Sequence, residues 1–300
     1  FAEKASEFVL LKNTEGKYFT LSEYANLVKE NQTDKNSNVI YLYANDKQAQ
    51  YSFIAEAKER GYDVLEMDGQ LDNHFINWFE SKNQGTRFAR VDADVIDKLI
   101  EKETKRKMAL TSVQQELLTP VFDAQLPKDE KAHFNVVFEP LDEKQQPVVI
   151  TQNEFMRRMK DMAAIQSGMA FYGELPDSYN LIVNTDHPLS QKVIADTESA
   201  CKSELTPILD ELKTVNEEIE RLQEAKKDKK DDEIPVADKE ALKHAEEKAK
   251  ELRAKESDIL KTYADRTPLV RQLVDLALLS NNMLKGEALS KFIKRSVEML

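Results

Sequence analysis

The sequence predicts a small α/β part followed by an α+β, mainly helical part, and three observations lead to this fold class. The first hundred residues alternate β-branched apolar runs with amphipathic stretches, which is typical of a short parallel sheet with helices. After residue 106, a few strand-like runs give way to an almost continuous helical pattern. No glycine occurs between Gly173 and Gly286, as expected for long helices that need no left-handed residue.

The α/β part is predicted to span residues 1–105. Thr20-Leu21-Ser22-Glu23 has the capping-box pattern that opens a first helix. The continuous run Val39–Tyr43 predicts a strand buried on both faces, and a helix from about Asp46 to Arg60 then ends at Gly61. The same alternation continues with strand Asp63–Met67, helix Leu71–Glu80, strand Arg87–Val91 and a helix that begins near Asp92.

The second part is predicted to span residues 106–300 and to be reached through a long helix. The pattern from Asp94 to about Leu118 stays helical, and a helix of about 25 residues would span roughly 38 Å. We expect His133–Leu141 and Gln146–Ile150 to form two antiparallel strands joined by a polar turn. A helix from Asn153 and a strand at Tyr179–Val183 are expected to follow.

Residues 203–263 are predicted to form an antiparallel helical hairpin inserted into the second part. Apolar residues recur at three- and four-residue steps on both sides of the charged run Lys226–Glu233, which marks the tip. One interpretation is a protruding arm that contacts a partner. Another is a solvated insertion whose charges keep the chain soluble, and a third is a coiled-coil adaptor whose assembly depends on the hairpin.

Net charge and cysteine content argue against several classes of protein. The net charge of −12 has the same sign as phosphate and anionic lipid, which would repel the chain. We therefore expect neither nucleic acid nor membrane among the partners. Cys201 is the single cysteine, which excludes an internal disulfide and favours a reducing, cytoplasmic location. The chain starts at Phe1 and not at methionine, so we interpret it as a fragment of a longer protein.

No pattern for catalysis or metal binding is present in the sequence. It lacks the glycine motifs that bind phosphate or dinucleotides, and its four histidines are far apart without ligand spacing. Cys201 lies on a helical pattern where packing is expected. We therefore expect no catalytic residue, metal or cofactor in this chain. The alternative is a small-ligand or enzyme module with an unrecognised site at the carboxyl ends of the α/β strands.

Two helices are candidate binding surfaces because they carry more apolar or adaptable side chains than a helix packed on one side needs. Helix Leu71–Glu80 is apolar around more than one face. In 153–172, methionines interleave with aromatic residues, opposite a polar side that carries Arg157 and Arg158, and methionine surfaces adapt to many partners. Ordinary core packing is the alternative for both. The candidate residues are His74, Phe75, Ile76, Trp78, Phe155, Met156, Met159, Met162, Met169, Phe171 and Tyr172.

The last 34 residues predict a homodimer. Thr267-Pro268 starts a helix whose apolar residues cover nearly its whole circumference, and a second helix after Gly286 has an apolar stripe. A four-helix bundle made by two copies would bury both helices, whereas docking on their own domain is the alternative. The predicted interface residues are Leu269, Leu273, Leu276, Leu289, Phe292 and Ile293.

Three separated motifs, in the right order, resemble the ninety-kilodalton heat-shock chaperones of the bacterial HtpG type. Tyr41-Leu42-Tyr43-Ala44-Asn45-Asp46 is similar to the end of a strand in that family. Gly61–Asp72 (GYDVLEMDGQLD) resembles its G-x-E-V-L-x-L-x-D-x-I-D segment, and Tyr179–Leu189 resembles its L-x-x-N-P-x-H-P-L strand and turn. The terminal helices also match in place and character, so the resemblance covers nearly the whole chain except about 203–263.

The resemblance implies the end of a middle domain followed by a C-terminal dimerisation domain of an ATP-driven chaperone. It implies that unfolded or partly folded client proteins bind the helices at Leu71–Phe79 and Asn153–Ile165. It also implies that ATP and Mg²⁺ are bound in an amino-terminal domain absent here, so the fragment should not hydrolyse ATP. The family's tryptophan aligns with His74, and Trp78 stands where tyrosine is more usual. The sequence ends at Leu300 without a Glu-Glu-Val-Asp tail, as expected of the bacterial type.

Overall fold

The computed structural model of the chain describes residues 8–102, 106–129, 131–152, 154–165, 173, 175–227 and 235–298. The strands are β1 (Leu10–Lys12), β2 (Tyr18–Thr20), β3 (Val39–Ala44), β4 (Val64–Glu66), β5 (Thr86–Arg90), β6 (Ala132–Glu139), β7 (Val148–Gln152) and β8 (Asp177–Asn184). The helices are α1 (Leu21–Val28), α2 (Tyr51–Glu59), α3 (Asp72–Lys82), α4 (Ile96–Leu99), α5 (Ser112–Asp123), α6 (Glu154–Ile165), α7 (Pro188–Glu224), α8 (Val236–Asp265), α9 (Pro268–Ser280) and α10 (Gly286–Glu298).

The first part is built on a three-stranded parallel sheet with β3 in the middle, β4 on one side and β5 on the other. Tyr41 and Tyr43 pack in one apolar cluster with side chains of α1 and α3. Ile40 and Leu42 point the other way, into a cluster with α2. The predicted strand with two buried faces is therefore confirmed, because apolar side chains cover the sheet on both sides.

Local capping explains where the helices of the first part begin and end. The capping box at α1 is confirmed: the Glu23 amide donates to the Thr20 hydroxyl over 3.3 Å, and the Thr20 amide donates to the Glu23 carboxylate over 2.8 Å. Gly61 takes the predicted left-handed conformation at φ +74°. Helix α2 begins at Tyr51 and not near Asp46, because the Asp46 carboxylate accepts the amides of Gln48 and Ala49 and holds a turn there.

The predicted long helix from Asp94 to Leu118 is wrong, and so is the helix predicted to begin near Asp92. Among the described residues between Asp92 and Ser112, where α5 begins, only the four residues of α4 are α-helical. The Thr111 side chain and Gln114 form a capping box that fixes this start. In the described segment between α4 and α5, Lys102 donates to the backbone carbonyls of Asn31 and Thr33, which holds the chain against the first part.

The sheet of the second part has the strand order β6-β8-β7. The predicted pairing of the first two strands with each other is wrong, because β8 lies between them, parallel to β6 and antiparallel to β7. β8 has the most buried side chains of the three, including Leu181, Ile182 and Val183, and a central strand is the one covered on both sides. Its last residue, Asn184, accepts the Leu141 amide and donates to the Asp142 carbonyl, which fixes the turn after β6.

Two long helices that pack against each other, α7 and α8, lie where the helical hairpin was predicted, and we call this pair the arm. Its first helix begins at Pro188 and not near 203. Most of the predicted tip at Lys226–Glu233 lies outside the described residues, and the hairpin as an insertion stays a prediction. Near its base, side chains such as Leu205 and Leu260 join the main core together with α5, α9 and the second sheet. Farther out, the arm has an apolar seam of its own, formed by Leu212, Val215, Ala245, Ala249 and Leu252.

The two parts meet through a small apolar cluster of Val95, Leu141 and Ile182 and through polar contacts described below. The division of the chain at residue 105 stays a prediction. None of the helices formed by the described residues is long and apolar enough to cross a membrane.

Candidate functional site

Helix α3 packs on the first sheet through Ile76 and Phe79, and its other aromatic side chains, Phe75 and Trp78, lie next to this contact. Ile76 is 0% exposed, so its assignment to a binding surface is wrong: the side chain fills the apolar core of the first part. His74, Phe75 and Trp78 are half-buried. The rings of Phe75 and Trp78 lie 6.1 Å apart between centroids, and both side chains pack partly against the apolar core of the first part.

Helix α6 faces the first part with its polar side. Arg157 is only 6% exposed, whereas Phe155 is 67% exposed. Met156, Met159 and Met162 are half-buried, and no described side chain of α6 lies in an apolar core cluster of the structure. The contacts of α6 with the first part that are described are made largely by its charged side chains, and whether its methionines pack or bind stays a prediction.

The structure brings the two candidate helices together, although they are about eighty residues apart in the sequence. The side-chain amide of Asn77 on α3 donates to the Met162 sulfur on α6 over 3.5 Å. Arg158 on α6 donates to the Glu80 carboxylate on α3 over 3.1 Å. The half-buried aromatic side chains of α3 and the methionines of α6 therefore belong to neighbouring helices, which we call the α3/α6 surface. Sequence periodicity did not indicate Asn77, because its neighbour in space lies on another helix.

The half-buried carboxylate of Glu154 organises the contact under α6. Glu154 accepts hydrogen bonds from the Tyr43 hydroxyl over 2.8 Å, from Arg158 Nε over 2.6 Å and from Arg157 Nη2 over 3.1 Å. Burial alone would raise the pKa of Glu154, but the charges of the two arginines outweigh it and hold the pKa below its ordinary value. Burial also raises the pKa of Tyr43, so its hydroxyl stays protonated and donates. The spacing of Glu154, Arg157 and Arg158 by three and four residues is the sequence signal that would have indicated this cluster.

Three of the predicted binding residues, Met169, Phe171 and Tyr172, lie outside the described residues, and their place in the surface stays a prediction.

The predicted interface residues on α9 and α10 divide into two groups. Leu273 and Phe292 are buried in the core of their own chain, so their assignment to an interface between copies is wrong. Leu269 and Leu289 are half-buried, packed against the same core. Leu276 and Ile293 are exposed by 43% and 53%. Helical periodicity alone did not separate the two groups, since α9 is apolar almost all round.

The two terminal helices are held together by polar contacts close in sequence to their exposed apolar residues. Arg295 forms an ion pair with Asp275, and Gln272 donates to the Ser296 hydroxyl over 2.8 Å. Leu276 follows Asp275 on α9, and Ile293 lies two residues before Arg295 on α10, so both are close in sequence to these contacts. Leu279 and Val297, about one turn along from Leu276 and Ile293, are also exposed, although they were not predicted, and we call these four residues the exposed apolar strip.

Residues that carry catalysis in other proteins have structural roles in this chain. His187 precedes α7, and its Nδ1 accepts the Leu189 amide over 3.1 Å. Cys201 is buried, and burial raises the pKa of its thiol, which makes it a poor nucleophile. Within the described ranges, no group of three or more His, Cys, Asp or Glu side chains is arranged to hold a metal ion.

Comparison with curated proteins finds similarity over the whole chain. Chaperone protein HtpG of Bacteroides fragilis (strain 638R) is 49% identical over 300 residues, which is 100% of this chain and 44% of that protein. Chaperone protein HtpG of Bacteroides thetaiotaomicron is also 49% identical, and that of Porphyromonas gingivalis is 45% identical, both with the same coverage. The chain thus spans less than half the length of these relatives and matches their carboxy-terminal part. No family model matches the chain.

Proposed function

The chain belongs to the ninety-kilodalton heat-shock chaperones of the bacterial HtpG type, and from this premise we propose that it provides client binding and homodimerisation to an ATP-dependent chaperone. The observation that carries the proposal is the pairing of α3 with α6 in a chain that is similar to HtpG over its whole length. ATP and Mg²⁺ belong to a part of the protein outside this chain, which itself needs no cofactor and catalyses no reaction.

The α3/α6 surface suits clients that are unfolded or partly folded. Such chains present short apolar segments of varied shape, and flexible methionine side chains adapt to varied shapes. Phe155 on α6 is exposed, whereas Met162 on the same helix and Trp78 on the neighbouring α3 are half-buried. A shallow surface of this kind binds many sequences weakly, because it lacks the convergent polar groups that fix one ligand.

Homodimerisation is supported by the exposed apolar strip on α9 and α10. Leu276, Leu279, Ile293 and Val297 would all be covered in a four-helix bundle of two copies. A two-fold arrangement places the same strip on both subunits, which makes it self-complementary. We propose the cytoplasm as the location, because a reducing compartment keeps the single Cys201 as a thiol.

Client binding is tested by replacing apolar residues of the α3/α6 surface with serine. The double variant Trp78→Ser, Phe155→Ser should bind a permanently unfolded probe, reduced and carboxymethylated α-lactalbumin, at least about tenfold more weakly than the original chain, which is a loss of about 1.4 kcal/mol. Fluorescence anisotropy of the labelled probe measures the Kd.

The matched control is Tyr51→Ser, Val113→Ser, which changes two exposed apolar residues on other helices. Its affinity for the probe should stay unchanged. Equal affinity of both double variants and the original chain would contradict client binding at this surface.

A further inference from the structure

The polar side of α6 closes the free edge of the first sheet. β5 is an edge strand, and the outward amide and carbonyl of Phe88 would be exposed to solvent or to another strand. Instead, the Phe88 amide donates to Glu80 Oε1 over 2.7 Å, and its carbonyl accepts Arg158 Nη2 over 2.7 Å. Arg158 also donates to the second carboxylate oxygen of Glu80. One side chain from α3 and one from α6 thus bind both outward backbone groups of Phe88 at this edge.

Glu154 joins this edge to the middle of the sheet. Its Oε1 accepts hydrogen bonds from both Arg158 Nε and the Tyr43 hydroxyl. Arg157 Nη2 donates to the same hydroxyl over 2.6 Å. Tyr43 lies on the central strand β3. Side chains from α3, β3 and α6 therefore form one hydrogen-bonded network, which we call the Glu154 network.

The residues just before α6 are attached to the first part as well. The Gln152 amide at the end of β7 donates to the Asp92 carbonyl over 3.1 Å, and Arg90 Nη2 donates to the Gln152 side chain over 3.0 Å. Arg90 is itself buried and also binds the Asp92 carboxylate. The start of α6 is thereby fixed at a second point close to the network.

Directional hydrogen bonds between partly buried charges favour one arrangement of α6. A displaced α6 would break the hydrogen bonds that Glu154, Arg157 and Arg158 make with the first part, and any of these groups still shielded from water would be left without a partner. Apolar contacts do not impose such directional constraints. The described contacts of α6 with the first part are charged or polar, and most of them belong to the network. An ion pair of Lys160 with Asp177 over 2.7 Å attaches the same helix to β8.

We propose that Glu154 and Arg158 are positioning residues that fix α6 against α3, so that the α3/α6 surface behaves as one rigid unit. This inference rests on the proposed function only in assuming that clients bind the α3/α6 surface. The fixing of α6 against α3 is inferred from the contacts alone. A rigid surface loses less conformational entropy when it binds a client than two independently moving helices would lose.

Hydrogen exchange of α6 tests the proposal on the full chain. Glu154→Gln removes the central charge, and Glu80→Gln removes the partner on the other helix without changing α6. Both variants should speed amide exchange in the peptide covering 154–165 at least about tenfold, as expected when a local opening becomes easier. The peptide covering β8 should exchange as before, which shows that the rest of the chain is intact.

The control is Glu211→Gln, the same substitution in an ion pair of the arm, where Glu211 and Lys248 lie 2.7 Å apart. It should leave exchange in 154–165 unchanged. If Glu154→Gln fails to fold, Glu80→Gln decides the question, since Glu80 is partly exposed at its site. Unchanged exchange of α6 in Glu80→Gln, or in both folded variants, would overturn the proposal.

Binding of unfolded α-lactalbumin by the same variants separates this inference from the proposed function. Faster exchange together with weaker binding supports both. Faster exchange with unchanged binding supports the fixing of α6 by the network and counts against client binding at α6.

Discussion

Single residues of α9 show that side chains of the same type on an apolar helix can have different roles. Leu273 and Leu276 are the same residue type, three positions apart on α9. Leu273 is 2% exposed in the main core, whereas Leu276 faces solvent in the isolated chain. The first therefore stabilises the fold of one copy, and the second is available to a partner.

Alanine substitutions at these two leucines should have different effects on unfolding. Leu273→Ala should lower the free energy of unfolding by about 2–5 kcal/mol at every protein concentration, because it leaves a cavity in the core. Leu276→Ala should change it by no more than about 0.5 kcal/mol in the monomer. Urea denaturation at several protein concentrations measures both.

The effect of Leu276→Ala should grow as concentration rises, because dimer formation adds stability by mass action. A concentration-independent loss of several kcal/mol at Leu276 would place this residue in the core of the single chain and contradict the assignment.

At the level of elements, the arm and the second sheet show what neighbours add to local preference. Strong periodicity makes α7 and α8 predictable as helices, and a charged tip makes the hairpin predictable. The similarity to HtpG relatives extends through the arm, since it covers every residue of the chain. The strand order of the second sheet was not predictable in the same way, because local patterns do not state which strand lies in the centre.

Removal of the outer arm should leave the rest of the chain folded. The seam of Leu212, Val215, Ala245, Ala249 and Leu252 joins only arm residues. Replacing residues 213–247 by a four-residue glycine-serine loop should therefore keep Tm within about 4 °C, a change of roughly 1 kcal/mol. The contact of Glu211 with Lys248 shows that the two helices lie side by side at the cut.

The dimer measured by sedimentation should also survive this deletion, if the terminal helices form the interface. Loss of the dimer would favour the adaptor interpretation of the hairpin. Calorimetry on the same variant measures Tm.

For the whole molecule, we expect the exposed apolar residues of α9 and α10 to decide whether two copies assemble. Leu276→Glu with Ile293→Glu should convert a dimer into a folded monomer, because two buried carboxylates per subunit would have to be desolvated without partners. The solution mass from sedimentation at tens of micromolar measures this, and circular dichroism shows that helices are kept.

The control places the same charges on exposed apolar residues elsewhere, Val113→Glu with Val236→Glu. It should remain a dimer. If the original chain is a monomer at this concentration, or if both double variants dissociate equally, the terminal helices are not the specific interface.

The sequence by itself determined many of the elements, because these depend on local physical chemistry, although it joined α4 and α5 into one long helix. The buried strand Val39–Tyr43, the capping box at Thr20, the left-handed Gly61 and the two helices of the arm all follow from side-chain periodicity and backbone preferences of neighbouring residues. Membership of the HtpG-type chaperone family was also predictable, because three short motifs of that family occur in this sequence in the same order.

Only the tertiary structure decided which faces are buried and which segments meet. Periodicity shows that α6 has an apolar and a polar side, but burial depends on what lies opposite, and opposite α6 lie Tyr43 and Glu80. The same reason explains why Ile76, Leu273 and Phe292 were assigned to surfaces although they fill the core. Hydrophobicity measures how strongly a side chain avoids water, whereas the neighbours in space decide whether its own chain or a second one removes that water.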